Sequence, residues 1–186
     1  QLIFEQGSPR ELAAMVASGD ADLAIATEGL EGPELLSFPC YSWYHAVIVP
    51  NGHPLSFETK LTLEAIAKYP LITYQEGFTG RSQINAAFQA AGLIPNVVLS
   101  AIDADVIKTY VEIGLGIGIV ASMAYHPGND KGLHFLESSH LFRSNTTRLG
   151  IKRGHYLRDF AYSFITLFSP SWTEETIKKA LIKQIS

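Results

Sequence analysis

Apolar and polar positions alternate in blocks at the start of the chain, and these blocks predict a strand, a helix and a second strand. Residues 1–4 are a short apolar run that predicts a strand. The next block has Ser8 as helix N-cap and Glu11 in the capping-box position, and it ends at Gly19. Leu23–Ala26, "LAIA", predicts a buried strand. This order predicts a parallel crossover unit.

The same alternation recurs through the middle of the chain. Strand-like apolar runs occupy residues 43–50, 71–74, 96–101 and 117–121. Helical patterns lie between them, behind Thr62, around Ile84 and Phe88, and behind Asp103. Such alternation predicts an α/β sheet with helices on both of its faces.

The last third of the chain predicts two further strands, within residues 128–138 and 146–154, followed by two helices. The strongest helical pattern in the chain lies at residues 156–168. Its predicted buried face consists of Leu157, Phe160, Ala161, Phe164, Ile165 and Phe168. A final helix is predicted to start at Thr173, with Glu174 and Glu175 favourably placed in its first turn.

Composition narrows the class of protein. The 186 residues are 47% apolar, which allows a substantial core, and only 17% charged, with a net charge of −4. This acidic balance makes the chain a poor candidate for binding DNA phosphates by itself. The single cysteine, Cys40, excludes an internal disulfide and predicts a reducing compartment, the cytoplasm, with a buried structural thiol. No apolar run approaches the roughly 18 residues that a membrane span needs.

Chemical motifs for metal binding or covalent catalysis are not evident. The six histidines show no metal-ligand spacing, so no metal site is expected. No Ser/His/Asp or Cys/His constellation is evident, and an enzyme is not expected. "GLGIGIVA", residues 114–121, resembles a glycine-rich nucleotide loop, but it precedes a strand, whereas that loop follows one. It predicts a helix end and close packing.

Three polar loops follow predicted strands, where an α/β sheet presents its ligands. They are Thr27-Glu28, the segment from Gly77 to Ser82, and Asp103-Ala104. In the second, two glycines permit positive φ angles and close backbone approach, and a helix then leaves its first N–H groups unpaired. The Thr79 hydroxyl and the amides around Gly80 to Ser82 would form a small anion site. The amide of Ala104 offers the same chemistry at the third loop.

Two side chains near these loops allow more than one interpretation. Trp43 lies where one α/β unit passes to the next, so it either walls a cleft or packs in a core. Arg81 lies in the first turn of a predicted helix and reaches either the anion or solvent.

Four segments carry a resemblance to a known family. They are residues 6–30, 38–49, 69–82 ("YPLITYQEGFTGRS") and 103–124 ("DADVIKTYVEIGLGIGIVASMA"). Together they resemble the effector-binding domain of LysR-type transcriptional regulators of the CysB and Cbl type. "GFTGRS" is much more specific to this type than "ADLAIAT", which is general to the LysR family.

The resemblance implies an α/β fold of two Rossmann-like lobes joined by two crossing strands, similar to type 2 periplasmic binding proteins. Lobe I would comprise residues 1–40 and 145–170, lobe II residues 41–144, and a C-terminal helix residues 171–186. The DNA-binding domain would lie upstream of this chain. The family's first strand and threonine-rich segment of lobe I would also precede Gln1, so we expect upstream residues to belong to the fold.

The resemblance also implies a function. The domain would sense a small effector in the interlobe cleft and control sulfur assimilation or cysteine biosynthesis. The effector would be a sulfate-like anion such as thiosulfate, or N-acetylserine or O-acetylserine. The implied effector site consists of Thr27, Glu28, Trp43, Gly77, Phe78, Thr79, Gly80, Arg81 and Ala104. The regulator would be a homo-oligomer, a dimer or tetramer, with no cofactor and no membrane contact, and would bind DNA only through the upstream domain.

One other function remains open at this point, and a second, an enzyme, is rejected. A solute-binding protein for transport would share the fold and the cleft chemistry. An enzyme would need a base positioned beside Thr79 or Ser82. The segment upstream of Gln1 would discriminate the first alternative, since a signal peptide favours transport and a helix-turn-helix favours regulation.

Overall fold

The computed structural model describes residues 2–182, which form two compact α/β units. Among these residues, unit 1 consists of residues 2–42 and 146–182, and unit 2 of residues 43–145. The elements in chain order are α1 (Pro9–Ser18), β1 (Leu23–Ala26), β2 (Leu35–Trp43), β3 (His45–Pro50), α2 (Leu63–Ile66), β4 (Leu71–Tyr74), α3 (Arg81–Ala90), β5 (Val97–Ala101), α4 (Ala104–Glu112), β6 (Ile117–Ala121), β7 (Leu133–Leu136), β8 (Asn145–Lys152), α5 (Asp159–Phe168) and α6 (Glu174–Ile182). None of the helices within residues 2–182 combines the length and the apolar character that crossing a bilayer requires.

Unit 1 contains a three-stranded sheet in the order β1-β8-β2, with α1, α5 and α6. The start of α1 follows the predicted capping box: Glu11 N–H donates to the Ser8 hydroxyl, and the Ser8 N–H donates to the Glu11 carboxylate. Gly19 ends the helix at a φ of 92°. On one side of the unit a buried cluster joins β2 and β8 to α5 and α6, and its members include Phe38, Leu149, Ile151, Leu157, Ile165 and Ile177.

Two expectations for unit 1 are wrong, and one of its strands is not predicted by the apolar pattern. Residues 2–4 form no strand, and Phe4 is 76% exposed, because no strand of the sheet pairs with them; Gln1 lies outside the described residues. The predicted parallel crossover is absent among residues 2–182, since β1 pairs antiparallel with β8. In addition, β2 forms although Pro39 lies within it, and the apolar pattern did not predict it.

The two C-terminal helices follow the prediction in part. Leu157, Ala161 and Ile165 are buried, but Phe160 is half exposed and Tyr162 takes its place in the core. The helix begins at Asp159, later than the pattern suggested, and this places Phe160 in its first turn. In α6, Glu174 and Glu175 occupy the first turn as expected, and residues 183–186 of the predicted helix lie outside the described residues.

Unit 2 is built on a five-stranded mixed sheet in the order β5-β4-β6-β3-β7. Strand β4 runs parallel to β5 and β6, whereas β3 runs antiparallel to β6 and β7. Val47 and Val49 pack on one face with α2 and α3, and Ile48 packs on the other face with α4. Because neighbouring strand residues point to opposite faces, the sheet is covered on both sides by helices, as predicted.

The "GLGIGIVA" segment is confirmed as a helix end followed by close packing. Gly114, at a φ of 82°, follows the end of α4, and Gly118 lies within β6. A methyl group added to Gly118 would lie 2.6 Å from Ile48 Cγ1 and 2.9 Å from Val111 Cγ2. The glycine therefore lets α4 approach the sheet.

We expect Gly118→Ala to lower the free energy of unfolding by about 1–3 kcal/mol, because the added methyl overlaps buried side chains on both sides. Urea denaturation measures the change. Gly128→Ala is the matched control, since a methyl there meets nothing within 4 Å, and it should leave stability unchanged or raise it by up to about 1 kcal/mol. Equal effects of the two substitutions would contradict the packing role.

Candidate functional site

The carboxyl ends of β4 and β5 define the candidate site in unit 2. These strands are parallel neighbours, with Tyr74 paired to Ala101. The loop after β4 leads to α3 on one face of the sheet, and the loop after β5 leads to α4 on the other. Where adjacent strands send their connections to opposite faces, an α/β sheet has its ligand-binding position. The topology therefore places residues 75–80 and 102–103 beside that position.

The loop after β4 has an unusual backbone. Gly77, Thr79 and Gly80 all adopt positive φ, at 82°, 44° and 65°. Among residues 2–182, Thr79 is the only non-glycine residue with positive φ. A β-branched residue rarely adopts this conformation, which costs about 1–3 kcal/mol and persists where surrounding contacts enforce it. The loop is thus held in place by its neighbours.

His45 supplies one of the enforcing contacts. Its Nε2 lies 2.9 Å from the Thr79 carbonyl oxygen, and its Nδ1 lies 3.3 Å from Asn145 Nδ2. A carbonyl oxygen can only accept, so Nε2 carries the hydrogen and donates it. In the neutral ring Nδ1 then accepts from the Asn145 amide. Both nitrogens of this buried imidazole are therefore satisfied.

Gly80 fits against the same pair of side chains. A methyl group at this position would lie 2.5 Å from Asn145 Oδ1 and 3.1 Å from His45 Cε1. The positive φ of Gly80 adds a second reason for glycine. The second glycine of "GFTG" is therefore required both by conformation and by the close approach of the loop to the Asn145 amide.

Aromatic rings surround His45 and keep it neutral. The ring centroids of Trp43, Phe142 and Tyr74 lie 5.0, 5.9 and 6.4 Å from that of His45. Burial lowers the pKa of His45 to about 4, although the Thr79 carbonyl opposes the shift. Burial likewise raises the pKa of Tyr74 to about 12, and its hydroxyl accepts the Ala121 N–H at 3.0 Å. Uncharged groups thus form the floor of the loop.

Arg81 supports the loop from its other end. The side chain is buried, so the alternative in which it points into solvent is wrong. Its guanidinium donates to the Tyr74 carbonyl oxygen, to Asn85 Oδ1 at 2.8 Å and to Ser100 Oγ at 3.4 Å. Its NH2 also forms an ion pair with Glu76 at 3.2 Å. Arg81 therefore fixes the end of β4 to α3 and β5.

The remaining predicted residues lie as follows. Trp43 is buried and packs its ring against His45 within unit 2, which favours the packing interpretation. Ala104 is the first residue of α4, whose N-cap Asp103 accepts the Asp105 N–H at 2.7 Å. Thr27 and Glu28 follow β1 in unit 1. Within the described part of the chain, no group of three or more His, Cys, Asp or Glu side chains could hold a metal ion.

Sequence reasoning missed His45 and Asn145. By sequence spacing alone His45 resembles the other five histidines, and Asn145 is only the residue at a predicted boundary between the lobes. Their pairing joins residues 100 positions apart, so no local pattern contains it. The one available signal was a histidine at the start of an apolar strand, "HAVIVP".

Comparison with known proteins gives a consistent family. The family model for the LysR substrate binding domain matches residues 1–172. The HTH-type transcriptional regulator SsuR of Burkholderia cenocepacia is 55% identical over 177 residues, 95% of this chain and 58% of that protein. The HTH-type transcriptional regulator cbl of Escherichia coli is 46% identical over 179 residues, 96% of this chain and 57% of that protein. The chain thus spans a little over half the length of these relatives.

Solved structures confirm the fold class. The crystal structure of the cofactor-binding domain of the Cbl transcriptional regulator matches with a TM-score of 0.88 at 46% identity, and the match covers 95% of this chain and 78% of that one. The effector-binding domain of QuiR in complex with shikimate matches with a TM-score of 0.75 at 18% identity, over 89% of this chain and 78% of that one. The α/β, periplasmic-binding-protein-like fold is therefore shared with LysR effector-binding domains.

We expect acid to destabilise the protein through His45. The pKa of this group is about 4 in the folded chain against 6.5 for a free histidine, so below pH 6.5 the unfolded state binds the proton first. The contribution of the neutral His45 to the free energy of unfolding is complete above pH 6.5, and it falls by about 3 kcal/mol as the pH decreases to 4. Urea denaturation between pH 7 and pH 4 measures the loss.

The variant His45→Gln provides the control for this titration. Glutamine does not ionise, so the variant should lose about 3 kcal/mol less stability than the natural protein over the same pH range. Carboxylates elsewhere titrate alike in both proteins and cancel in the difference. Parallel pH profiles for the two proteins would contradict a buried neutral His45.

Proposed function

The chain belongs to the family of LysR substrate-binding domains, and we propose that it is the ligand-sensing domain of a regulator of sulfur assimilation or cysteine biosynthesis. The support is its similarity to the transcriptional regulators SsuR, CysB and cbl, at 46 to 55% identity. Members of this family are regulators and not enzymes. In the proposed activity the domain binds a metabolite reversibly, and no covalent chemistry is involved.

The observation that carries the choice of ligand is the orientation of the peptide bond between Thr79 and Gly80. In a trans peptide the C=O and the N–H point in opposite directions. Because the Thr79 carbonyl oxygen is bound to the buried His45, the Gly80 N–H points away from that ring. Among the described residues no backbone carbonyl accepts from this N–H. It is therefore oriented to donate to a ligand.

Two further features of the loop favour a small anion. The Gly80 amide immediately precedes α3, whose N-terminus carries partial positive charge. Within residues 2–182 the hydroxyl of the adjacent Thr79 has no hydrogen-bond partner, so it can donate as well. Amide and hydroxyl donors at a helix N-terminus suit a sulfate-like group or the carboxylate of an acetylated serine. We therefore propose sulfate, thiosulfate, N-acetylserine or O-acetylserine as effectors.

The other predicted site residues differ in how they would act on the effector. Gly77 and Phe78 shape the loop, and Ala104 contributes an N-terminal amide of α4. Trp43 and Arg81 act indirectly, since each is packed or bonded within unit 2. Thr27 and Glu28 of unit 1 are proposed effector contacts on the basis of the family resemblance.

The proposal for the whole protein goes beyond this domain. The relatives are named HTH-type regulators, and the chain spans 55 to 58% of their length. We propose that the complete protein binds DNA through a helix-turn-helix domain, assembles as a homodimer or homotetramer and acts in the cytoplasm. The effector would shift the balance between two states of that assembly, in proportion to its different affinities for them.

We expect Thr79→Ala to weaken binding of sulfate or N-acetylserine about tenfold or more, because a hydrogen bond to a charged ligand is lost. Isothermal titration calorimetry on the purified protein measures the affinity. Thr79→Ser, which keeps the hydroxyl, should bind within a fewfold of the natural protein. Unchanged affinity in Thr79→Ala would count against this site, and an absence of binding by the natural protein would contradict the choice of ligand.

A further inference from the structure

We infer that His45 is a positioning residue for the effector: its Nε2–H, oriented by Asn145, holds Thr79 in the left-handed conformation and thereby aims the Gly80 N–H at the ligand. This inference rests on the proposed function. In this scheme neither His45 nor Asn145 touches the effector. Both act through the peptide bond between Thr79 and Gly80.

The position of His45 suits this role because its backbone is fixed on several sides. It lies at the start of β3, where it pairs with Ala121 of the neighbouring strand β6. Its carbonyl oxygen accepts from the Ser138 hydroxyl at 3.3 Å. The ring is buried and packed edge-on against Trp43 and Phe142. The donor therefore has one defined location from which to hold the loop.

Asn145 determines which ring nitrogen carries the hydrogen. The Asn145 amide group donates to Nδ1, and this selects the tautomer in which Nε2 bears hydrogen. In the opposite tautomer, the Nε2 lone pair would face the Thr79 carbonyl oxygen at 2.9 Å and repel it. The loop conformation thus depends on a contact made 100 positions further along the chain.

Gly80 extends the arrangement to the residue that presents the amide. Asn145 Oδ1 and His45 Cε1 lie so close to Gly80 that even a methyl group would overlap with the amide oxygen. His45 therefore binds the carbonyl before Gly80, and the side chains of His45 and Asn145 together limit the space behind Gly80. Together these contacts restrict rotation of the peptide bond that separates the Thr79 carbonyl from the Gly80 amide.

A matched pair of substitutions tests the inference. In His45→Gln the side-chain amide nitrogen occupies the place of Nε2 and can still donate to Thr79. In His45→Asn a polar group remains near Nδ1 only, and the donor to Thr79 is lost. We expect His45→Asn to weaken sulfate binding about tenfold and His45→Gln to retain it within about threefold. Calorimetry with sulfate measures the affinities.

A second measurement reads the loop without any ligand. We expect amide hydrogen exchange at Gly80 to change in His45→Asn and to match the natural protein in His45→Gln, because only the first frees the Thr79 carbonyl. The natural protein should also show the Nε2–H tautomer of His45 in long-range proton–nitrogen spectra at neutral pH. An Nδ1–H tautomer would overturn the inference.

The outcomes separate this inference from the proposed function. Sulfate binding at natural affinity in His45→Asn, together with a loss in Thr79→Ala, overturns the positioning role and leaves the sensor function intact. Equal losses in His45→Asn and His45→Gln also overturn it, since the ring and not its donor would then matter. A natural protein that binds no sulfate and no N-acetylserine overturns both proposals. If His45→Asn does not fold, Asn145→Leu provides the test. We expect this variant to bind sulfate several-fold more weakly than the natural protein, and unchanged affinity would contradict the positioning role.

Discussion

The hydrogen bond from the buried, neutral His45 to the carbonyl oxygen of Thr79 is the contact on which the candidate site depends. A left-handed threonine costs about 1–3 kcal/mol, and a single neutral hydrogen bond contributes about 0.5–1.5 kcal/mol. A hydrogen bond in the middle of that range offsets only part of the strain at Thr79. The packing of Gly80 on the Asn145 amide, and the two glycines that relieve the rest of the turn, contribute the remainder.

The sheet of unit 2 explains how these groups meet. The parallel strands β4 and β5 deliver their loops to one edge, while the antiparallel β3 begins at that same edge and brings His45 to it. The continuous segment that forms unit 2 starts at Trp43 and finishes at Asn145. Both ends of this segment thus contact the imidazole, one through an aromatic ring and the other through an amide. A purely parallel sheet, with every strand ending at this edge, would not place a strand's first residue there.

The sequence predicted the features whose determinants lie within about four residues of one another. The Ser8–Glu11 capping box, the N-caps Thr62 and Asp103 and the positive-φ glycines belong to this group. Predictions that needed a partner elsewhere in the chain were less successful. Whether residues 2–4 pair as a strand, or whether Phe160 is covered, depends on a neighbouring element that local periodicity does not contain.

The candidate site shows the same division. "GFTG" identified the loop correctly as a backbone feature, because glycine content is a local property. The His45–Asn145 pair is not predictable in this way. A neutral histidine with both ring nitrogens hydrogen-bonded differs from other histidines only through partners that are distant in sequence. The sequence does not predict the backbone strain at Thr79 either, because a threonine is not expected to adopt a positive φ.

Arg81 and His45 both donate hydrogen bonds to backbone carbonyl oxygens of the loop, a role that their residue types alone would not predict. An arginine in an anion loop suggests a direct charge contact, yet Arg81 donates to the Tyr74 carbonyl oxygen and is paired with Glu76. His45 likewise donates to a backbone carbonyl oxygen, that of Thr79. Each side chain therefore binds a carbonyl on the protein side of the turn. The two bonds differ in what they leave free. The N–H opposite the Tyr74 carbonyl belongs to Gln75 and donates to the Ala101 carbonyl oxygen at 2.9 Å, so Arg81 only fixes the sheet end of the loop. The N–H opposite the Thr79 carbonyl belongs to Gly80, and the bond to His45 directs it away from the imidazole. The loop can then present donors to a ligand without placing a net positive charge there.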